Sequence, residues 1–251
     1  VANVTAEIIP PAYTGIDQLQ QTGGAIEALS GSEVALTVRA TAPVREATMV
    51  FLEDGRRVTL APTSVADDGG AATSFRADFQ ITGSDRYQIE LLADNGLRNP
   101  KPGTYPISAL QDYAPVARWL LPEDDTLALL PTALLCLRLD ARDDFGLTGI
   151  DLTVERGGET VLTHPILKGE QARLLSYLPT ELFEVSELLK GDASGDGLFL
   201  QVNLRDNKAP EAGTAELPRR IVQIVDPPQL AAIIAKSFRR LREEVTEADS
   251  I

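Results

Sequence analysis

Sulfur and imidazole are nearly missing from this chain. Its 251 residues include one cysteine, one methionine and one histidine. A single cysteine, Cys136, can close no internal disulfide and build no cysteine-based zinc site. It sits in the run Leu134-Leu-Cys-Leu-Arg-Leu139, where a buried small hydrophobe is expected. The one histidine, His164, precedes Pro165 in a strand-like segment and belongs to no recognisable Ser-His-Asp set. Gly-x-Ser-x-Gly, a phosphate loop and a dinucleotide fingerprint are all absent. Acid pairs such as Asp124-Asp125 read as solvated turn residues rather than glycosidase carboxylates. The chain is therefore expected not to be an enzyme.

Aromatic residues make up only 5% of the chain, which leaves little for a sugar-stacking platform, and Trp119 falls in a strand-like run. No run of ~18 apolar residues occurs, so no membrane span is read in this sequence. Basic residues are outnumbered 23 to 37, and the net charge of −14 repels phosphate backbones, so nucleic acid is excluded as the expected partner. The chain opens on Val1 and its methionine is Met49, the pattern of a processed product or an excerpt.

What is present is a repeat. Tyr87-Gln-Ile-Glu-Leu-Leu-Ala-Asp-Asn95 and Leu198-Phe-Leu-Gln-Val-Asn-Leu-Arg-Asp-Asn207 are alternating runs that both end in Asp-Asn. Each is followed by a proline, Pro100 and Pro210, and then by a last strand-like run. The spacing, 112 residues from Asp94 to Asp206, is one domain copied rather than a solenoid unit. Short alternating segments surround both runs, among them Val4–Ile9, Glu33–Ala40, Ser74–Ile81 and Thr148–Glu155. Glu53-Asp-Gly55 and Arg156-Gly-Gly158 read as hairpin turns, and Asp67–Gly70 as a further turn. This pattern predicts an all-β chain of two tandem immunoglobulin-like β-sandwiches, residues 1–112 and 113–227. Residues 179–190 have the spacing of a short helix, and a loop is expected from Gly191 to Gly197.

After Pro227-Pro228 the period changes. Leu230, Ile234, Phe238, Leu241 and Val245 recur at helical steps with arginines and glutamates beside them, which predicts an amphipathic helix over residues 228–251. Its stripe either folds back on the sandwich or opens a longer helix or coiled coil. The second reading is preferred, with these five residues as an interaction surface for a protein partner or a second copy.

One polar cluster could hold a cation. Asp140, Asp143, Asp144 and Asp206, with Asn207, fall in segments expected to share one end of an immunoglobulin-like sandwich. Ca²⁺ takes six to eight oxygens, which such loops partly supply. The alternative is turn chemistry, in which Asp and Asn bond their own backbones, and it is the expected outcome. No other metal or cofactor is expected. Phe145 and Leu147 are expected to anchor the core beyond a polar loop at 140–147.

Pro10-Pro-Ala-Tyr-Thr-Gly15, Ile26-Glu-Ala-Leu-Ser-Gly-Ser-Glu-Val34, Asp143-Asp-Phe-Gly-Leu147 and Arg205-Asp-Asn207 carry a resemblance. Over nearly its whole length the chain resembles the extracytoplasmic part of large bacterial membrane-anchored proteins of unknown function. In that family, membrane helices precede immunoglobulin-like repeats, and long coiled-coil or low-complexity segments follow. The resemblance implies a periplasmic or extracytoplasmic place in a bacterial cell envelope, with anchoring through segments outside this chain, and a scaffold-like role. A non-catalytic spacer or interaction module is the leading reading. A glycan- or peptide-binding sandwich, Ca²⁺-dependent or not, is its rival.

Overall fold

The computed structural model describes residues 1–65, 71–168, 174–189 and 197–248. The expected turn at Asp67–Gly70 and the loop from Gly191 through residue 196 lie outside the described residues. The chain is all-β, with two immunoglobulin-like β-sandwiches and a C-terminal helix. It divides into two compact units, Val1–Asp112 and Tyr113–Ile251.

The first unit has nine strands: β1 (Asn3–Ile9), β2 (Leu19–Thr22), β3 (Ile26–Leu29), β4 (Glu33–Val44), β5 (Glu46–Phe51), β6 (Arg57–Val65), β7 (Ala72–Gln80), β8 (Asp85–Leu92) and β9 (Thr104–Leu110). One layer runs β2-β1-β4-β7 and the other β5-β8-β9-β3, with β3 parallel to β9. β6 belongs to both, since Leu60 pairs with β5 and the next residue, Ala61, pairs with β7. Period-two alternation puts Val4, Ala6 and Ile8 of β1 and Val34, Leu36 and Val38 of β4 inside. Met49, Phe75 and Tyr87 complete the same core cluster. Burying a large aliphatic side chain of this kind contributes about 1.5–3 kcal/mol.

The prolines after β1 fix φ and remove two amide donors. Pro10 and Pro11 end the pairing, Ala12–Thr14 makes one tight turn, and Gly15 takes φ +57 to send the chain back as β2. Thr14 stitches this turn, donating to the Pro11 carbonyl at 2.8 Å and accepting from Ile16 N–H at 3.2 Å. The Tyr13 hydroxyl donates to the Asp112 carboxylate at 2.7 Å. Tyr87, fully buried, donates its hydroxyl to the Gly24 carbonyl at 2.6 Å. Gly24 sits at φ +90, and a Cβ there would stand 2.3 Å from the Tyr105 ring, so only glycine fits.

The second unit contains β10 (Val116–Leu121), β11 (Thr126–Leu129), β12 (Leu134–Arg156), β13 (Glu159–Lys168), β14 (Leu174–Tyr177), β15 (Thr180–Glu184), α1 (Val185–Leu189), β16 (Leu198–Asp206), β17 (Thr214–Glu216), β18 (Arg220–Ile224) and α2 (Pro227–Ala248). Its organiser is β12, 23 residues long. The first half pairs with β10, β14 and β15, and the second with β13 and β16. β11 lies parallel to β18, as β3 does to β9. Leu135, Leu137, Leu139, Ile150, Leu152 and Val154 of β12 face the core, and Trp119 joins them.

Four expectations need correction. The polar stretch Asp140–Leu147 is not a loop but part of β12, at the point where the strand changes layers. Asp143 makes this possible by accepting the N–H groups of Phe145 and Gly146, at 2.9 and 2.5 Å, inside the strand. Leu147 is buried as expected, but Phe145 is only half-buried and outside the core cluster. Cys136 is half-buried rather than buried, because alternation gives the inward places to Leu135 and Leu137. The helix expected over 179–190 covers only Val185–Leu189, since Thr180–Glu184 pairs with Leu134–Arg138 as a strand.

The repeated runs become β8 and β16, which occupy equivalent places. β8 lies between β5 and β9, and β16 between the second half of β12 and the pair β17 and β18. The two aspartates then part company. Asp94 is exposed beyond the end of β8, whereas Asp206 is the buried last residue of β16.

Candidate functional site

Asp140 points to the outer face of β12, yet its carboxylate is almost covered. Arg118 of β10 reaches it at 3.0 Å, and Arg142, two residues along, reaches it at 3.1 Å. Hydrogen bonds from Arg142, then from Arg118, hold the carboxyl below the ordinary aspartate range. A carboxylate already shared by two guanidiniums has little left to offer a metal.

Asp143 spends one oxygen on its own backbone turn. Asp144 is exposed and accepts from Tyr113 N–H at 3.5 Å. Asp206 accepts from Lys208 N–H at 3.0 Å and Gly213 N–H at 2.7 Å, shaping the turn after β16. Asn207 donates to the Phe145 carbonyl at 2.9 Å, and the Thr148 hydroxyl donates to the Asp206 carbonyl. The structure thus joins the bend of β12 to the end of β16, and carries Asp140 away to the arginines. Among the described residues, no three His, Cys, Asp or Glu side chains gather into a metal-holding group.

His164 packs edge-on against Phe183, with ring centres 5.2 Å apart, and its Nε2 lies 3.5 Å from Glu181. Trp119 is buried, with its indole N–H donating to the Pro218 carbonyl at 2.8 Å. It is not an exposed stacking surface.

The C-terminal helix has a well-made start. Asp226 accepts from Gln229 N–H at 2.8 Å, and the Gln229 side chain accepts from Asp226 N–H at 3.0 Å. This is a reciprocal capping box, with Pro227 in the first helical position, where its missing N–H costs nothing. Of the five stripe residues, Leu230 is half-buried, while Ile234, Phe238 and Val245 are 46%, 68% and 61% exposed. Leu241 lies on α2, with its side chain outside the described residues. Ala232 and Ile233 line a groove with Phe199, Ile221 and Ile224 of the sandwich. Ile233 escaped the sequence reading because it lies one position off the counted stripe. No helix among the described residues is long and apolar enough to cross a membrane.

The sequence reading also missed the Arg118–Asp140–Arg142 cluster. Part of its signal was present, since Arg138, Asp140 and Arg142 alternate with Leu137, Leu139 and Ala141. Arg118 had no local signal, because strand pairing brings it in.

No protein-family model matches the chain, and no curated protein does. Among solved structures it is similar to fibronectin(III)-like modules of Clostridium thermocellum CbhA, at 13% identity and a TM-score of 0.29, over 80% of this chain and 89% of that one. It is also similar to the titin domains Z1Z2 in complex with telethonin, at 14% identity and a TM-score of 0.33, over 80% of this chain and 91% of that one. Against Dpr2 Ig1-Ig2 in complex with DIP-Theta the values are 12% and 0.27, over 89% of this chain and 66% of that one.

Proposed function

We propose that this chain is a non-catalytic spacer and protein-interaction module of a bacterial cell envelope, with α2 joining it to a second copy or to another protein. The single observation that carries the interaction role is the exposure of Ile234, Phe238 and Val245 along a helix whose start is fully capped. A helix in a protein draws most of its stability from packing its amphipathic face, so this exposed apolar stripe calls for a covering partner. The sandwiches have closed cores of their own and act as rigid spacers. The envelope setting is supported by the sequence resemblance, whose most specific motif forms the turn around Tyr13.

Sedimentation velocity tests the helix. The parent should sediment as more than one chain, and Ile234→Glu with Phe238→Glu should sediment as a monomer with the sandwich melting unchanged. A monomeric parent whose second sandwich loses stability in the double variant would make α2 an intramolecular cover instead.

A further inference from the structure

The outer face of one layer in the second sandwich carries a composition that its counterpart lacks. From Leu134 to Arg142 one register relates β12 to β15 and the end of β14, with Ala141 opposite Tyr177, Arg138 opposite Thr180 and Cys136 opposite Leu182. Core residues take every second place, so Leu134, Arg138 and Arg142 of β12 point outward, as do Leu178 and Leu182. Leu134 and Leu182 are diagonal neighbours on this face and are 61% and 64% exposed. Leu178 is 52% exposed beside the arginine cluster.

The equivalent layer of the first sandwich, β1-β4-β7, shows water Thr5, Glu7, Thr37, Arg76 and Asp78. There Arg76 is paired with Asp78 at 3.1 Å and approaches Glu7 at 3.7 Å. That face is mostly polar, and Ile9 at its end is its one exposed large apolar side chain among the described residues. The leucine face instead sets Arg118, Arg138 and Arg142 against the covered Asp140, with Glu184 at its far end. This basic strip stands on a chain of net charge −14.

We infer that this face docks an extended, acidic protein segment, with Leu134, Leu178 and Leu182 covering its apolar side chains and Arg118 and Arg142 gripping a carboxylate. Asp140 holds both guanidiniums in place, which leaves their remaining N–H groups to meet an anion, and the Arg118 and Arg142 side chains are 69% and 63% exposed. Charge complementarity selects an acidic partner and disfavours another basic one. The leucines select a peptide over a polyanionic sugar. Sugars stack on aromatic rings, and the outward positions named here carry none. β14 and β15 pair only with β12 among the described residues, so a strand edge adjoins the face.

The test uses the full chain and a fluorescein-labelled peptide of about ten residues alternating Glu and Leu. Anisotropy should show saturable binding that weakens as salt rises. Arg138→Glu and Leu182→Ser alter exposed side chains and should each weaken binding about tenfold while thermal melts stay unchanged. Ile234→Glu with Phe238→Glu should leave it unaffected, which separates this face from α2. The inference is overturned if the peptide shows no saturable binding, or if binding survives both face substitutions. It is also overturned if a Glu-Ser peptide or polygalacturonate binds equally well, since the face would then read charge alone.

Discussion

The two sandwiches share a pairing scheme and close it differently. In the first, the chain changes layers between β4 and β5, with only Arg45 separating the two strands. β6 then crosses back from β5 to β7, tying both layers along one side. In the second, the change of layer happens inside the uninterrupted β12, at Asp143–Gly146. Its side is left open, because β13 pairs only with β12 among the described residues, and β14 and β15 do the same. The same fold can thus place its continuity in one long strand or in a crossing strand. Each choice exposes a different edge, and in the second sandwich the open side adjoins outward leucines rather than paired charges.

The largest expected effect tests whether the cores are independent. Leu152 is fully buried in the second cluster and takes no part in the first. Leu152→Ala should cost about 2–5 kcal/mol, and calorimetry should show one transition lowered and the other unmoved. A uniform downward shift of both would mean that the sandwiches melt as one.

A smaller effect probes a device that both units use. Each buries an aromatic ring whose polar tip is satisfied by a backbone carbonyl, Tyr87 on Gly24 and Trp119 on Pro218. Burial, with Tyr105 beside it, also pushes the Tyr87 hydroxyl well above the ordinary phenol value, so it stays a donor at neutral pH. Tyr87→Phe leaves the Gly24 carbonyl without that donor and should cost about 1–3 kcal/mol, read as a lower melting temperature of the first sandwich alone.

The smallest effect concerns acid. Asp140 titrates below its ordinary range in the folded chain, so the unfolded chain takes up the proton first as pH falls. The stabilisation from its arginines is complete above the ordinary aspartate value, fades as pH falls from there towards the lowered one, and is gone below it. Asp140→Asn should therefore melt lower than the parent near neutrality, and the gap should close in strong acid. An equal gap at every pH would show that the arginines act on Asp140 by packing rather than by charge.

Local pattern made much of this protein legible. Alternation in Glu33–Ala40 and Leu198–Asp206 named strands and their inward residues, because a pleated strand turns successive side chains to opposite faces. Glu53-Asp-Gly55 and Arg156-Gly-Gly158 named their hairpins, with Gly55, Gly157 and Gly158 at positive φ. The stripe beginning at Leu230, placed after two prolines, named α2. Phe145 does not anchor the core, because the polar run around it is strand rather than loop: one Asx-type turn lets a strand bend without ending.

The tertiary structure alone decided what these elements meet. Arg118 and Asp140 lie 22 residues apart in sequence, and only the pairing of β10 with β12 made them a cluster. Whether an amphipathic stripe is covered depends on what packs over it, which a helical period cannot state. Hence the exposure of Ile234 and Phe238 on α2, and of Leu134 and Leu182 on the open layer, emerged only from the fold. The alternation in a sequence separates the two faces of a strand by its chemistry. It takes the neighbouring layer, brought from far along the chain, to determine whether the outward face is left to water.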